Sequence, residues 1–431
     1  PRRWVNRTRG GGRAKVMSQR QTKPVAAAAV AAIMVLSACG IEAQESPTGA
    51  GQASAPPDAT GGASPAETSG AVGGGELEAE LSFANWPLYI DQDDDGNSPT
   101  IDQFEEETGV AVTYQEAIED NQSFFGIIQP VLAAGQDTGY DIIVVTDWMI
   151  GNLARLGYLE PIDVERDVPN FVANADPTYL ERSYDPGNVY SVPWQSGITG
   201  IGYNPALVDE EITSLSQLFD PAFIEKYCGQ IGMFTEMRDT MNLALLYTGV
   251  IPAEATIEDA EAAQQVLLDQ APCVRDYYGN EYVDDLANGS LAITMAWSGD
   301  IFQLQFDDPD LTFVVPDEGG ILWTDNMAIP KGAQHPNAAL AMMDFVYDPE
   351  VAAQIAEWVN YITAVPGAKE IILQHAEEAD DPEDAEYLEA VANSPLVFPT
   401  DEMLERVHSY KVLDEDEERQ WNELFAEVVQ G

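Results

Sequence analysis

Two alternating patterns of apolar and polar positions run through most of the chain. Glu78 to Asn85 alternates with a period of two residues and predicts a half-buried strand. Thr100 to Thr108 follows the helical period, with Thr100 placed as an N-cap and Gly109 as a stop. Val110 to Tyr114 predicts a second strand and Ser123 to Ala134 a second helix. Asp141-Ile-Ile-Val-Val145 is a short continuous apolar run, the signature of a strand covered on both faces. The alternation resumes with a strand over Gly229 to Phe234, a helix through Met241 to Tyr247 and an amphipathic helix from Ala255 to Asp269. Leu291 to Trp297 predicts another buried strand, and the chain closes on helices over Asn337 to Tyr347, Pro349 to Val359 and Asp414 to Val429. Repeated strand–helix units of this kind predict an α/β class with parallel sheets.

The first 75 residues do not share this pattern. Arg20 and Lys23 follow Met17, and an apolar run of 14 residues, Val25 to Ala38, leads to Cys39. The run is short of the roughly 20 residues a spanning helix needs and has the length of a signal-peptide core. Leu36-Ser37-Ala38-Cys39-Gly40 resembles a bacterial lipobox, which predicts a signal peptide over 1–38 and lipidation of Cys39. Residues 1–16 precede the candidate start Met17 and read as an over-extended start. Residues 39–75 are rich in Gly, Ala, Ser, Pro and Thr and predict a tether.

Charge narrows the function classes. Removing 1–38 leaves 11 basic residues against 74 acidic ones, a net charge of −63. A surface of that sign repels nucleic acid, whose phosphates need Lys and Arg, and attracts cations. It also suits an exposed protein adapted to salt. With Cys39 assigned, Cys228 and Cys273 remain as an even pair, which in an exported chain favours a disulfide over a metal site or a nucleophile. His335, His375 and His408 stand far apart, and no P-loop, dinucleotide fingerprint, zinc-protease or serine-hydrolase motif occurs. No cofactor is expected.

Carboxylates and aromatic residues gather where the predicted strands end. Trp86 and Tyr89 follow the first strand; Thr146, Asp147 and Trp148 follow Val145; Glu236 and Asp239 follow Phe234. Trp297 and Asp300 form one pair, and Trp323 and Asp325 another. Such residues suit a flexible amine: carboxylates accept from ammonium groups, and aromatic faces both pack on methylenes and attract the cation. Asp91, Asp93 and Asp95 before Gly96, with Asp102, resemble the start of a calcium loop. Ser98, Pro99 and the short Asp102 depart from that loop, so calcium is a side hypothesis beside an acidic turn.

Several words occur in the order and spacing seen in bacterial spermidine/putrescine-binding proteins of ABC importers. They are Asn85-Trp86 with Tyr89, Phe104-Glu-Glu-Glu-Thr-Gly109, Tyr140-Asp-Ile-Ile-Val-Val145 and Tyr190-Ser-Val-Pro-Trp194 with Gly202-Tyr-Asn204. Met295-Ala-Trp-Ser-Gly-Asp300, Glu318-Gly-Gly-Ile-Leu-Trp-Thr-Asp325 and Ala328-Ile-Pro330 complete the series, from about residue 78 to the C-terminus. The chain resembles that family, and the resemblance implies a two-lobed, venus-flytrap (type II periplasmic-binding-protein) fold, each lobe a mostly parallel sheet flanked by helices. It implies lobe 1 over 77–197 and 298–330, lobe 2 over 198–297 and 331–431, and a cleft beside Trp86, Thr146, Trp148, Trp297, Asp300, Trp323, Asp325 and Glu236 or Asp239. It implies a monomeric, extracytoplasmic, membrane-anchored receptor that hands a polyamine to a membrane permease. The family commonly carries a hydroxyl residue and an acid after Asn-Trp; Pro87 and Leu88 stand there, so one amine contact is missing or comes from elsewhere, with Asp147 a candidate. A different solute in the same cleft (a sugar, an amino-acid derivative or a metal chelate) and a hydrolase using Glu236 and Asp239 are the competing readings.

Overall fold

The computed structural model describes residues 73–430 except Asp94. The predicted signal peptide, the 1–16 start, Cys39 and the tether up to residue 72 lie outside the described residues. The strands are β1 (Glu80–Asn85), β2 (Ala111–Glu116), β3 (Ile142–Thr146), β4 (Ser191–Tyr203), β5 (Ile231–Phe234) and β6 (Val274–Tyr278). They continue with β7 (Ile293–Trp297), β8 (Thr312–Val314), β9 (Gly320–Ala328), β10 (Ile362–Thr363) and β11 (Val407–His408). The longer helices are α1 (Pro99–Thr108), α2 (Asn121–Ala133), α3 (Asp147–Arg155), α4 (Met237–Tyr247), α5 (Ile257–Gln270) and α6 (Ser298–Leu304). After them come α7 (Pro336–Phe345), α8 (Pro349–Val359), α9 (Ala368–Glu378), α10 (Pro382–Asn393) and α11 (Glu415–Gln430).

The strands form one curled, mixed sheet in the order β2-β1-β3-β9-β4-β7-β5-β6. Its two outer triplets are parallel, β2-β1-β3 on one side and β7-β5-β6 on the other. Between them β4 and β9 run antiparallel to each other and to their outer neighbours. The α/β class and the two-lobed architecture are therefore present, with the parallel pairing confined to the outer triplets. β4 and β9 are buried at every position, so they carry no period-two signal.

Helix starts follow local chemistry. α1 begins at Pro99, where a missing N–H costs nothing, and Ser98 rather than Thr100 is its N-cap; Gly109 ends it at φ 76°. α5 carries a capping box, Thr256 against Asp259. The structure joins Cys228 to Cys273, tying the segments that enter β5 and β6, where the Gly229 N–H also donates to the Cys273 carbonyl at 2.8 Å.

The packing groups the later elements by side of the sheet. α6 packs on β4, β7 and β8, and β8 pairs with Ile201 to Tyr203, the same end of β4 that meets β7. Residues 298–314 therefore sit with the β5–β7 side. The chain changes side along β9, which meets Thr199 at Ile321 and Ser191 at Ala328. α7 then packs on β1 and α8 on α1, and the Glu78 carboxylate accepts from Asn337 Nδ2 and the Ala338 N–H at 2.7 and 2.8 Å. A strand nine residues long is the crossing, so no separate linker marks it.

Candidate functional site

The carboxyl end of β3, the middle of β4 and β9, the start of α4 and the start of α6 meet in one place. Thr146 ends β3 opposite Asp325 of β9 in the antiparallel register. The Asp325 carboxylate accepts from the Thr146 hydroxyl at 2.8 Å and from the Tyr89 hydroxyl at 3.0 Å. Asn121, at the start of α2, donates to the Thr146 hydroxyl at 2.8 Å and accepts from its N–H at 3.1 Å. Trp86 is half-buried and its indole N–H donates to the Val144 carbonyl at 3.0 Å, which fixes the ring against β3.

Asp239, in the first turn of α4, accepts from Thr199 Oγ1 at 2.5 Å and from the Tyr410 hydroxyl at 2.7 Å. Asp300, in the first turn of α6, accepts from the hydroxyls of Tyr282 and Tyr361, both at 2.9 Å. An aromatic series links these groups: Tyr89 to Tyr361 at 5.7 Å, Tyr361 to Trp323 at 5.7 Å, Trp323 to Trp297 at 6.5 Å and Trp297 to Phe234 at 4.4 Å between centroids. Gly197 and Gly299 make room for it, since a Cβ there would lie 2.3 Å from the Trp323 ring and 2.6 Å from the Tyr361 ring.

Asp147, Trp148 and Glu236 form a second group around Arg238. The Arg238 guanidinium lies 4.8 Å from the centre of the Trp148 ring, a cation–π contact. It is only 2% exposed, pairs with Glu418 and donates from Nη1 to the Lys411 carbonyl at 3.0 Å. The positive charge most deeply buried beside the site thus already has its carboxylate.

The electrostatics follow from burial. Desolvation, then the neighbouring Asp239 charge, pushes the Glu236 carboxyl up to about 7; although part of its side chain reaches solvent, protein atoms surround it densely. Desolvation likewise raises Asp147 to about 7, Asp325 to about 7 and Asp239 to about 6, against the hydrogen bonds that favour their charged forms. Burial holds the Tyr89, Tyr282 and Tyr410 hydroxyls well above their usual range, so they remain donors.

All eleven strand-end residues named from the sequence lie in these two connected groups. Tyr282, Tyr361, Tyr410, Thr199, Asn121 and Arg238 were not among them. The described carboxylates of the acidic loop turn to separate partners. Asp91 is fully buried and turns to α1, accepting from Ser98 Oγ at 3.0 Å, the Thr100 N–H at 3.1 Å and Gln354 Nε2 at 3.0 Å. Asp93 accepts from the backbone N–H groups of Asp95 and Asn97, both at 2.9 Å, and Asp102 lies in the first turn of α1. Among the described residues no group of three His, Cys, Asp or Glu side chains could hold a metal.

A profile of the bacterial extracellular solute-binding proteins matches residues 100–386. The chain belongs to this family. The putrescine-binding periplasmic protein SpuD of Pseudomonas aeruginosa is 26% identical over 366 residues, 81% of this chain and 92% of that protein. The spermidine/putrescine-binding periplasmic protein of Escherichia coli is 29% identical over 293 residues, 68% of this chain and 79% of its own length. A solved spermidine/putrescine ABC transporter substrate-binding protein, PotD from Streptococcus pneumoniae in complex with calcium and HEPES, superposes with a TM-score of 0.66 at 27% identity. That superposition covers 82% of this chain and 99% of the other. These solute-binding relatives are periplasmic, which supports a place outside the cytoplasm for this chain.

Proposed function

We propose that this solute-binding protein is the receptor of an ABC importer and takes a polyamine between its lobes, as a binder and not an enzyme. The observation that carries the reading is a charge imbalance. Asp147, Glu236, Asp239, Asp300 and Asp325 gather among Trp86, Tyr89, Trp148, Trp297 and Trp323. The cations nearby, Arg182 and Arg238, act on Asp147 and Glu236, and Arg238 also pairs with Glu418. Asp239, Asp300 and Asp325 are held by hydroxyl donors, and such carboxylates suit ammonium groups, which only donate. The aromatic series offers flat walls for the methylenes between them. One lobe comprises β1–β3 with α1, α7 and α8, the other β5–β8 with α4, α5, α6 and α11, and β4 and β9 cross between them. Closure traps the ligand because the closed form binds it more tightly. Cys39 anchors the monomeric receptor to the membrane through lipid, the region up to 75 serves as its tether, and a membrane permease receives the solute.

Isothermal titration of the folded domain with putrescine, spermidine and spermine tests this. Stoichiometric binding without turnover is expected, and no heat and no thermal shift with any of the three would remove the polyamine from the reading. One observation favours a second solute class: the Trp323 indole N–H is buried without a hydrogen-bond partner, and a ligand bearing an acceptor as well as an amine would satisfy it. Mass spectrometry of ligand retained through purification separates the two.

A further inference from the structure

We propose that Glu116 is the carboxylate that reads the third ammonium of a triamine at the rim of the cleft, so that it sets preference for spermidine-like over putrescine-like solutes. The inference rests on the polyamine reading above.

β1 and β2 pair in parallel register along their whole length, from Glu80 opposite Ala111 to Asn85 opposite Glu116. Glu116 therefore leaves the sheet at the carboxyl end, the edge where Trp86 and Thr146 also leave it, and where open α/β sheets hold ligands. The chain then turns at Leu88 with φ 55°, a conformation that residues with side chains seldom adopt. Glu116 holds this turn, since its Oε1 accepts from the Leu88 N–H at 2.8 Å and from Gln92 Nε2 at 3.4 Å. No described residue donates to its Oε2, and the side chain is exposed.

The turn also fixes direction. Tyr89 is the next residue, and its hydroxyl donates to Asp325 inside the cleft. One tyrosine side chain thus connects the inner carboxylates with the rim where Glu116 stands. On this reading a diamine places its two ammonium groups among Asp239, Asp300 and Asp325. A triamine placed the same way carries its extra aminopropyl arm outward, past the Tyr89 ring, to a carboxylate with an oxygen available. Pro87 and Leu88 offer that arm no acceptor side chain, and the neighbouring strand supplies one in their place.

Glu116→Gln separates charge from structure, because the amide oxygen can still accept from the Leu88 N–H. Putrescine and spermidine are titrated into the wild-type protein and into this variant, with the melting temperature recorded for each. The expected result is a loss of about three- to fivefold in spermidine affinity, the upper range of an exposed ion pair, with putrescine affinity and the melting temperature unchanged. Equal loss for both amines would overturn the proposal by making Glu116 a support of the turn. Unchanged binding of both would overturn it by making Glu116 a bystander. Glu116→Ala, which also frees the Leu88 N–H, should lower the melting temperature and so report the structural part alone. If the wild-type protein binds neither amine, the polyamine reading falls first and this one with it; Asp325→Asn, which should weaken both amines alike, marks failure of the shared site.

Discussion

Asp325 shows how a buried carboxylate can be unfavourable for the empty protein and necessary for the filled one. Two hydroxyls donate to it, yet burial still raises its carboxyl to about 7, and Asp147 and Glu236 reach the same value. The sign matters. A carboxyl whose folded pKa lies above its unfolded value binds more protons when folded, so its contribution to stability falls as pH rises between the two values. For these groups that window runs from about 4 to about 7, and the ligand-free protein should lose stability across it. A dication requires the ionised forms, so affinity should move the opposite way. As pH falls from 7.5 to 5.5 the dissociation constant should rise about 25-fold for each carboxyl that must ionise, the slope approaching tenfold per pH unit only below about pH 6, and titration in buffers of different ionisation enthalpy should show proton release. A flat profile would mean that these carboxyls do not meet the ligand's charge. Asp325→Asn should cost about 2–5 kcal/mol of binding, the range for losing one partner of a buried charge pair, while the empty protein keeps or gains melting temperature in thermal denaturation.

The elements that position these residues differ in how plainly the sequence announced them. β3 was legible because Ile142 to Val145 is a continuous apolar run, and α8 because its helical period is bounded by Pro349 and the Asn360 cap. β4 and β9 surfaced only as words inside the family resemblance: both are covered on both faces, and Gly197, Gly200 and Gly202 interrupt β4 where other groups approach closely. α9 and α10 gave no reading, since acidic positions outweigh their short buried stripes. Trp86, Asp147, Trp148, Glu236, Asp239 and Asp300 were visible because each follows a strand within a few residues, whereas Trp297 closes β7 and Trp323 and Asp325 lie inside β9 and stood out as Trp–Asp words. Tyr282, Tyr361 and Tyr410 were not, because each reaches its carboxylate across a long sequence interval or from a segment without a pattern. The glycines of β4 give a test at this scale. Gly197→Ala places a methyl carbon inside contact distance of the Trp323 ring on a strand that cannot shift freely. Overpacking of this kind costs about 1–3 kcal/mol, so the melting temperature should fall, and amine affinity should fall with it as Trp323 is displaced. A variant that melts lower but binds normally would detach Trp323 from the site.

Across the whole molecule, the charge that draws a cation into the cleft also opposes folding. The full sequence carries a formal net charge of −55, with 19 Lys and Arg against 74 Asp and Glu, so acidic side chains far outnumber the cations that could pair with them. Like charges spread over a surface repel one another over roughly a Debye length, about 10 Å in 0.1 M salt and about 3 Å in 1 M. Sodium chloride should therefore raise the melting temperature of the empty protein, with most of the gain complete once the screening length falls below the spacing of surface carboxylates. The same salt screens the attraction between the acidic cleft and a polyamine, so the further stabilisation given by saturating spermidine should shrink. Differential scanning fluorimetry at 0.1 and 1 M sodium chloride, with and without spermidine, reads both effects on one sample. Chloride is the suitable anion because sulfate stabilises most proteins by exclusion from their surfaces. A melting temperature that does not rise with salt would mean that local ion pairs, not the net field, govern the stability of this chain.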